Sequence, residues 1–100
     1  MGEDKKMAEF HIKNANKSVQ EFKGAMKKCD IYDALNAYRQ ISYHTEKARR
    51  YAYMLMNMPP EYKIEIEEGD KLRKIAWDVE HSSIEMAADL ISNCTCDVKK

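Results

Sequence analysis

The sequence predicts an all-α protein, a single domain of 100 residues folded as an antiparallel up-down-up three-helix bundle of long helices. In two long segments, apolar residues recur at alternating steps of three and four, which places them on one stripe of a helix. The chain also contains only three Gly and two Pro, so few residues interrupt a helix. Helices of similar length joined by short connections pack antiparallel to one another.

The first helix is expected at about residues 5–29. Gly24 lies inside its register and weakens the helix by about 1 kcal/mol relative to Ala. A turn at Gly24 is therefore an alternative to the turn that we expect at Lys28–Asp30. Because no Pro or Gly separates Cys29 from Asp30, a merger of the first two helices is a further alternative. The register of the first helix runs through Ala8, Ile12, Ala15, Val19, Phe22, Met26 and Cys29.

The second helix is expected at about residues 31–57. Asp30 is a favourable N-cap residue, and Asn57 is followed by Met58 and two prolines. A residue that precedes proline avoids the helical region of backbone conformation, so the helix should end there. The register of the second helix runs through Ile31, Ala34, Tyr38, Ile41, Thr45, Ala48, Ala52 and Leu55.

The third helix is expected at about residues 70–94, after a loop at 58–69 and before a frayed tail at 95–100. Apolar and charged residues alternate at 62–67, which is a strand period, but a single strand has no partner in this chain. We therefore expect a loop or a short helical turn that ends at Gly69, with Asp70 as the N-cap. The buried face of this helix is expected to be broad, combining Leu72, Ile75, Val79, Ser82, Met86 and Asp89 with the adjacent Ala76, Ser83, Ala87, Leu90 and Cys94.

The net charge is zero but unevenly distributed, since residues 1–29 carry +3 and residues 58–100 carry −4. The first interpretation is that the basic and acidic thirds attract each other within the bundle. The alternative is a nucleic-acid-binding module that uses the basic N-terminal third. Because a neutral chain has no general attraction for polyanions, nucleic acid is not the expected partner.

Cysteine usage and hydropathy indicate a compartment. No window approaches 18 consecutive apolar residues, and the charged N-terminal segment lacks a signal-peptide pattern. Three Cys residues are an odd number, which does not suit a secreted disulfide framework. We therefore expect a cytoplasmic protein that has no membrane anchor and needs no cofactor.

Arg39 and His44 form one candidate site, because four residues separate them. This six-residue segment resembles the motif of the HEPN ribonucleases, which are small helical proteins. The resemblance implies a ribonuclease in which His44 is the general acid or base and Arg39 stabilises phosphate charge. Gln40 departs from the small polar or acidic residue that usually follows Arg in that family. His44 also fits a second apolar stripe of helix two, so a packed histidine is the alternative.

The cysteines form a second candidate site. Cys29 ends helix one and Cys94 ends helix three, so both lie at the same end of an up-down-up bundle. With Cys96 and His81 they are a candidate zinc site, although structural zinc sites usually have at least two residues between paired cysteines. The alternative is unligated thiols, with His81 on a side stripe of helix three that also contains Trp77, Ile84 and Ala88.

The end of helix two, residues 51–58, is the expected interaction surface because it is apolar on every side. Such a helix should be buried all round, yet two neighbouring helices cannot surround it. Either Tyr62, Ile64 and Ile66 cover it, or another chain does. We expect a non-enzymatic interaction or regulatory protein that binds a protein partner or itself, since Tyr and Met favour adaptable interfaces. The expected contact residues are Tyr43, Lys47, Arg50, Tyr53, Met54 and Met56.

Overall fold

The computed structural model describes residues 2–98, with side chains for residues 3–94. It contains three α-helices, α1 (Gly2–Lys27), α2 (Ile31–Met56) and α3 (Lys63–Val98). The helices pack side by side into a rod 61 Å long and 17 × 13 Å across. Helix α2 contacts both of its neighbours more extensively than α1 and α3 contact each other. The predicted all-α three-helix bundle is confirmed.

The turn between α1 and α2 lies where the sequence predicts it, at Lys28–Asp30. Cys29 has a φ of 52°, the left-handed conformation that commonly follows the last residue of a helix. The Asp30 N–H donates to the Ala25 carbonyl at 3.0 Å, and the Cys29 N–H donates to the Met26 carbonyl at 3.0 Å. These two bonds form a Schellman motif. The Asp30 side chain then accepts from the Asp33 N–H at 3.1 Å and caps α2.

Helix α3 begins seven residues earlier than expected, at Lys63 instead of Asp70, so the predicted loop at 58–69 shrinks to the short connection 57–62. The Ile66 N–H donates to the Tyr62 carbonyl at 3.1 Å, which starts the helical hydrogen-bond pattern. The strand-like alternation is misleading because Gly69 and Leu72 continue the buried helical stripe of Ala76 and Ser83. The helix continues to Val98, beyond the predicted end at residue 94, while residues 99–100 of the predicted tail lie outside the described residues.

Gly69 lies inside α3, at the point where this helix crosses α2. A Cβ atom at Gly69 would lie 2.7 Å from the Ala52 carbonyl oxygen and 2.8 Å from the Leu55 Cβ. Both distances are too short for a real side chain. The glycine therefore does not break the helix as predicted, but allows the two backbones to approach each other.

The buried seam consists mainly of small residues, which lets all three helices pack closely. Phe22, Ile41 and Leu55 are the largest fully buried side chains, and Thr45 and Ser83 are also fully buried. The hydroxyl groups of Thr45 and Ser83 donate to backbone carbonyls of their own helices, at 3.2 and 2.6 Å, so both donors are satisfied. The buried alanines are Ala8, Ala15, Ala25, Ala34, Ala37, Ala48, Ala52 and Ala76.

The predicted registers hold best in α2, where the positions from Ala34 onward are buried except for the partly buried Tyr38. In α1 the buried face is rotated, because His11 and Ser18 are buried while Ile12 and Val19 are only partly buried. In α3 the adjacent stripe forms the core. The buried residues of that stripe are Ala76, Ser83, Leu90 and Cys94, together with Leu72, whereas Ile75, Ser82 and Asp89 are exposed.

Candidate interaction surface

Four of the predicted contact residues form a single stripe on α2, which we call the outer stripe: Tyr43, Lys47, Arg50 and Met54. Lys47 is half-buried and the other three are exposed. Their steps of four, three and four place them one above another on the helix. Half of the Tyr43 surface and 55% of the Met54 surface are exposed. The Lys47 ammonium lies 5.7 Å from the centre of the Tyr43 ring, within the range of a cation–π interaction.

The other two predicted contact residues lie on the side of α2 that faces α3. Met56 lies near Gly69, since its Cγ would be 3.0 Å from a Cβ at that glycine. Tyr53 lines an open depression of about 450 Å³ between α2 and α3, together with Arg73 and Trp77. The predicted Tyr/Met-rich face is therefore divided between two surfaces.

Neither the connection after α2 nor the first turn of α3 covers the outer stripe. Of the three residues expected to form a cover, Ile64 is 70% exposed, while Tyr62 and Ile66 are half-buried. Tyr43 and Met54 keep about half of their surface exposed with this connection in place. Within residues 3–94, the contact surface predicted for helix two is thus still partly open.

A second apolar surface runs along the α2–α3 face, and we call it the apolar strip: Leu35, Tyr53, Trp77, Ile84 and Ile91. The three α3 members are spaced by seven residues and share one side of that helix. Leu35 and Tyr53 are about five turns apart, so they share one side of α2. Sequence reasoning noted Trp77 and Ile84 on a side stripe with His81, but it did not identify this stripe as a surface. The repeat at 77, 84 and 91 was the available signal.

His44 does not contact Arg39 but contacts His11 of α1. The two Nδ1 atoms lie 2.9 Å apart, so one ring donates and the other accepts. Tyr51 stacks on the His11 ring with the centroids 5.9 Å apart, and Tyr43 meets it edge-on at 6.2 Å. Arg39 is exposed on another side of α2. The structure therefore does not bring together the two residues of the HEPN-like motif within one chain.

The environment of the histidine pair disfavours protonation. Burial lowers the pKa of both rings below the ordinary 6.5, and His44 and Lys47 lower the pKa of His11 further by charge repulsion. Both rings are therefore held neutral near pH 7, and a neutral pair can share one Nδ1–H hydrogen bond. This cluster joins α1 to α2, and sequence reasoning placed His44 but missed His11 as its partner.

The structure does not assemble a zinc site from the three candidate ligands whose side chains it describes, Cys29, His81 and Cys94. Cys29 and Cys94 form a disulfide with their Cα atoms 5.5 Å apart, so they are neither the zinc ligands nor the unligated thiols that the sequence suggested. His81 packs against Trp77 with ring centroids 3.6 Å apart, and the Cys96 side chain lies outside the described residues. Among the described residues, no group of three or more His, Cys, Asp or Glu side chains has the arrangement of a metal site.

The arginines around the α2–α3 depression are paired with carboxylates of the same chain. Arg49 pairs with Glu80, Arg50 with Glu46 at 2.9 Å, and Arg73 with Asp70 at 3.0 Å. On the N-terminal third, Lys5 pairs with Glu68 of α3 at 3.2 Å, an example of the expected attraction between the basic and acidic thirds. Paired cations bind phosphate less readily, because the carboxylate must first be displaced.

Within residues 2–98, none of the helices has an apolar stretch of the length that a bilayer crossing requires. Comparison with known proteins finds no matching family, no similar curated protein and no similar solved structure.

Proposed function

We propose that this protein is a non-enzymatic interaction protein that binds a protein partner through the outer stripe of α2. The observation that supports the proposal is the half-exposed state of Tyr43 and Met54 in a folded bundle. An exposed aromatic residue and a methionine on one stripe can adapt to the surface of a partner helix. Lys47 adds a positive charge beside them, which favours a partner with an acidic edge, whereas the charge of Arg50 is already paired with Glu46.

The ribonuclease interpretation is the second candidate, and it receives less support. His44 has the chemistry of a general acid or base, but its Nδ1 is engaged with His11 and Arg39 is not beside it. Cleavage of RNA by the purified chain, lost in His44→Ala, would favour this candidate over ours.

Nucleic-acid binding through the basic N-terminal third also stays an alternative. The neutral chain and the Lys5–Glu68 ion pair argue against it. Its signature would be an affinity for DNA or RNA that falls steeply as salt is raised.

The cytoplasmic location stays a prediction. The Cys29–Cys94 disulfide favours an oxidising compartment, because thiols in the cytoplasm are kept reduced.

Proximity labelling or crosslinking in the native host, followed by mass spectrometry, tests the proposed function. Wild-type protein is expected to crosslink to a defined protein that Met54→Glu and Tyr43→Glu no longer capture. Both substitutions bury a charge at the interface while the helix stays intact, so circular dichroism should be unchanged. Gln20→Glu is the matched control, since Gln20 is an exposed residue of α1 far from the outer stripe. Identical partner profiles for wild type and Met54→Glu would refute the proposal.

A further inference from the structure

The apolar strip on the α2–α3 face is a surface separate from the outer stripe. Each of its five large side chains is 47–61% exposed. Since a large side chain presents roughly 150–250 Å² when fully exposed, the strip offers on the order of 500 Å² of apolar surface. A patch of that size is at the upper end for a monomer and is often an interaction site.

The alignment of α2 with α3 determines which of their residues lie side by side. We call the position of a residue along the long axis of the bundle its height. Cys29 lies beside Cys94, and Gly69 lies beside Ala52 and Leu55. In this antiparallel pair, two residues therefore share a height when their numbers add up to about 123. By this rule Arg39 lies at the height of Ile84, and Glu85 lies at the height of Tyr38.

Arg39 and Glu85 thus share one height, but they lie on opposite edges of the face. Arg39 comes one turn after Leu35 and lies on the side of α2 away from α3. Glu85 follows Ile84 and lies on the side of α3 away from α2. Both residues are exposed, and within the described part of the chain neither forms an ion pair.

We propose that the occupant of this face is a second copy of the same chain, related by a two-fold axis that runs parallel to the helices. Rotation about such an axis leaves every residue at the same height and exchanges the two edges of the face. Helix α2 of each copy then lies on α3 of the other, and the two apolar strips pack together. Arg39 of one copy comes opposite Glu85 of the other, and the symmetry repeats this pair.

The size and charge of the face suit this occupant. With a polar rim around about 500 Å² of apolar strip, the contact approaches the ~800 Å² per partner of a stable interface. The chain is electrically neutral, so two copies do not repel each other. A seven-residue repeat on α3 is also the pattern that packs against another helix.

Sedimentation equilibrium of the oxidised, full-length protein tests the proposal. Wild type is expected to dimerise, and Ile84→Glu is expected to be monomeric with unchanged helicity. Arg39→Glu and Glu85→Arg should each weaken the dimer at least about tenfold, because each places two like-charged pairs in the interface. Lys17→Glu, an equal charge reversal on the exposed side of α1, should leave the dimer unchanged.

The decisive measurement uses the two charge reversals together. The double variant Arg39→Glu/Glu85→Arg should recover the wild-type dimer, and an equimolar mixture of the two single variants should form a heterodimer. A monomeric wild type, a dimer that Ile84→Glu does not affect, or a double variant no stronger than the single variants would overturn the proposal. A dimer lost in Met54→Glu but kept in Ile84→Glu would instead assign self-association to the outer stripe. The partner binding proposed above is tested independently of this dimer, since it depends on Tyr43 and Met54.

Discussion

At the scale of single residues, the His11–His44 pair predicts a pH-dependent stability. The pKa of both rings is lowered by burial in the folded state, whereas the unfolded chain titrates near the ordinary 6.5. Between these values the unfolded state binds more protons, so the free energy of unfolding decreases as the pH falls below about 6.5. Above that pH both states are neutral and the full stability is present.

Urea denaturation at pH 7.5 and at pH 5.5 measures this effect. The wild type is expected to be less stable at the lower pH, and the double variant His11→Gln/His44→Gln should lose much of that difference. The double substitution keeps a pair of polar side chains between α1 and α2. The urea transition of this variant therefore also shows whether the two helices still pack. An equal pH dependence in wild type and double variant would contradict the assignment.

The same pair shows why single residues of the site were hard to predict. The sequence placed His44 on an apolar stripe of helix two, but a partner from another helix depends on how the two helices rotate against each other. The apolar register of α1 favoured Ile12 over His11, whereas the fold buries His11 and leaves Ile12 partly buried. A polar residue on a buried face is found only when its partner across the interface is known.

At the scale of helices, the spacing of apolar residues was sufficient to predict all three helices, and the residue type at position 30 predicted the cap of α2. The start of α3 was not predicted because Gly69 was interpreted as a break. Glycine has a low helix propensity, but a close backbone contact can outweigh that local preference. The stripe through Gly69, Leu72 and Ala76 carried the correct signal, and the strand-like alternation hid it.

The two glycines inside helices therefore predict opposite effects of the same substitution. Gly24→Ala should stabilise the protein by about 0.5–1 kcal/mol, because alanine restricts the unfolded chain and its Cβ meets nothing within 4 Å. Gly69→Ala should destabilise it by about 1–3 kcal/mol, because its Cβ would overlap the backbone of α2. Thermal and urea unfolding of the two variants provide a matched comparison. A stabilising Gly69→Ala would mean that α2 and α3 do not cross closely at this position.

At the scale of the whole molecule, the sequence predicted the arrangement of the helices but not the disulfide that joins the end of α1 to α3. The up-down-up order implied that Cys29 and Cys94 lie at the same end of the bundle. An odd number of cysteines nevertheless favoured free thiols, because sequence alone cannot choose which cysteine remains unpaired. The apolar strip needed the same information, since its members from α2 and α3 form one surface only when the two helices are aligned.

The disulfide joins residues 65 positions apart, so it should contribute strongly to the stability of the whole bundle. Closing a loop of that length restricts the unfolded chain by about 4 kcal/mol in the chain-entropy description. Urea denaturation with and without dithiothreitol is therefore expected to show a large loss of stability on reduction. Cys94→Ala should have the stability of the reduced wild type both with and without dithiothreitol. Cys96→Ser should behave like wild type and keep its sensitivity to the reductant. If Cys96→Ser removed that sensitivity and Cys94→Ala preserved it, Cys29 would pair with the other cysteine of α3.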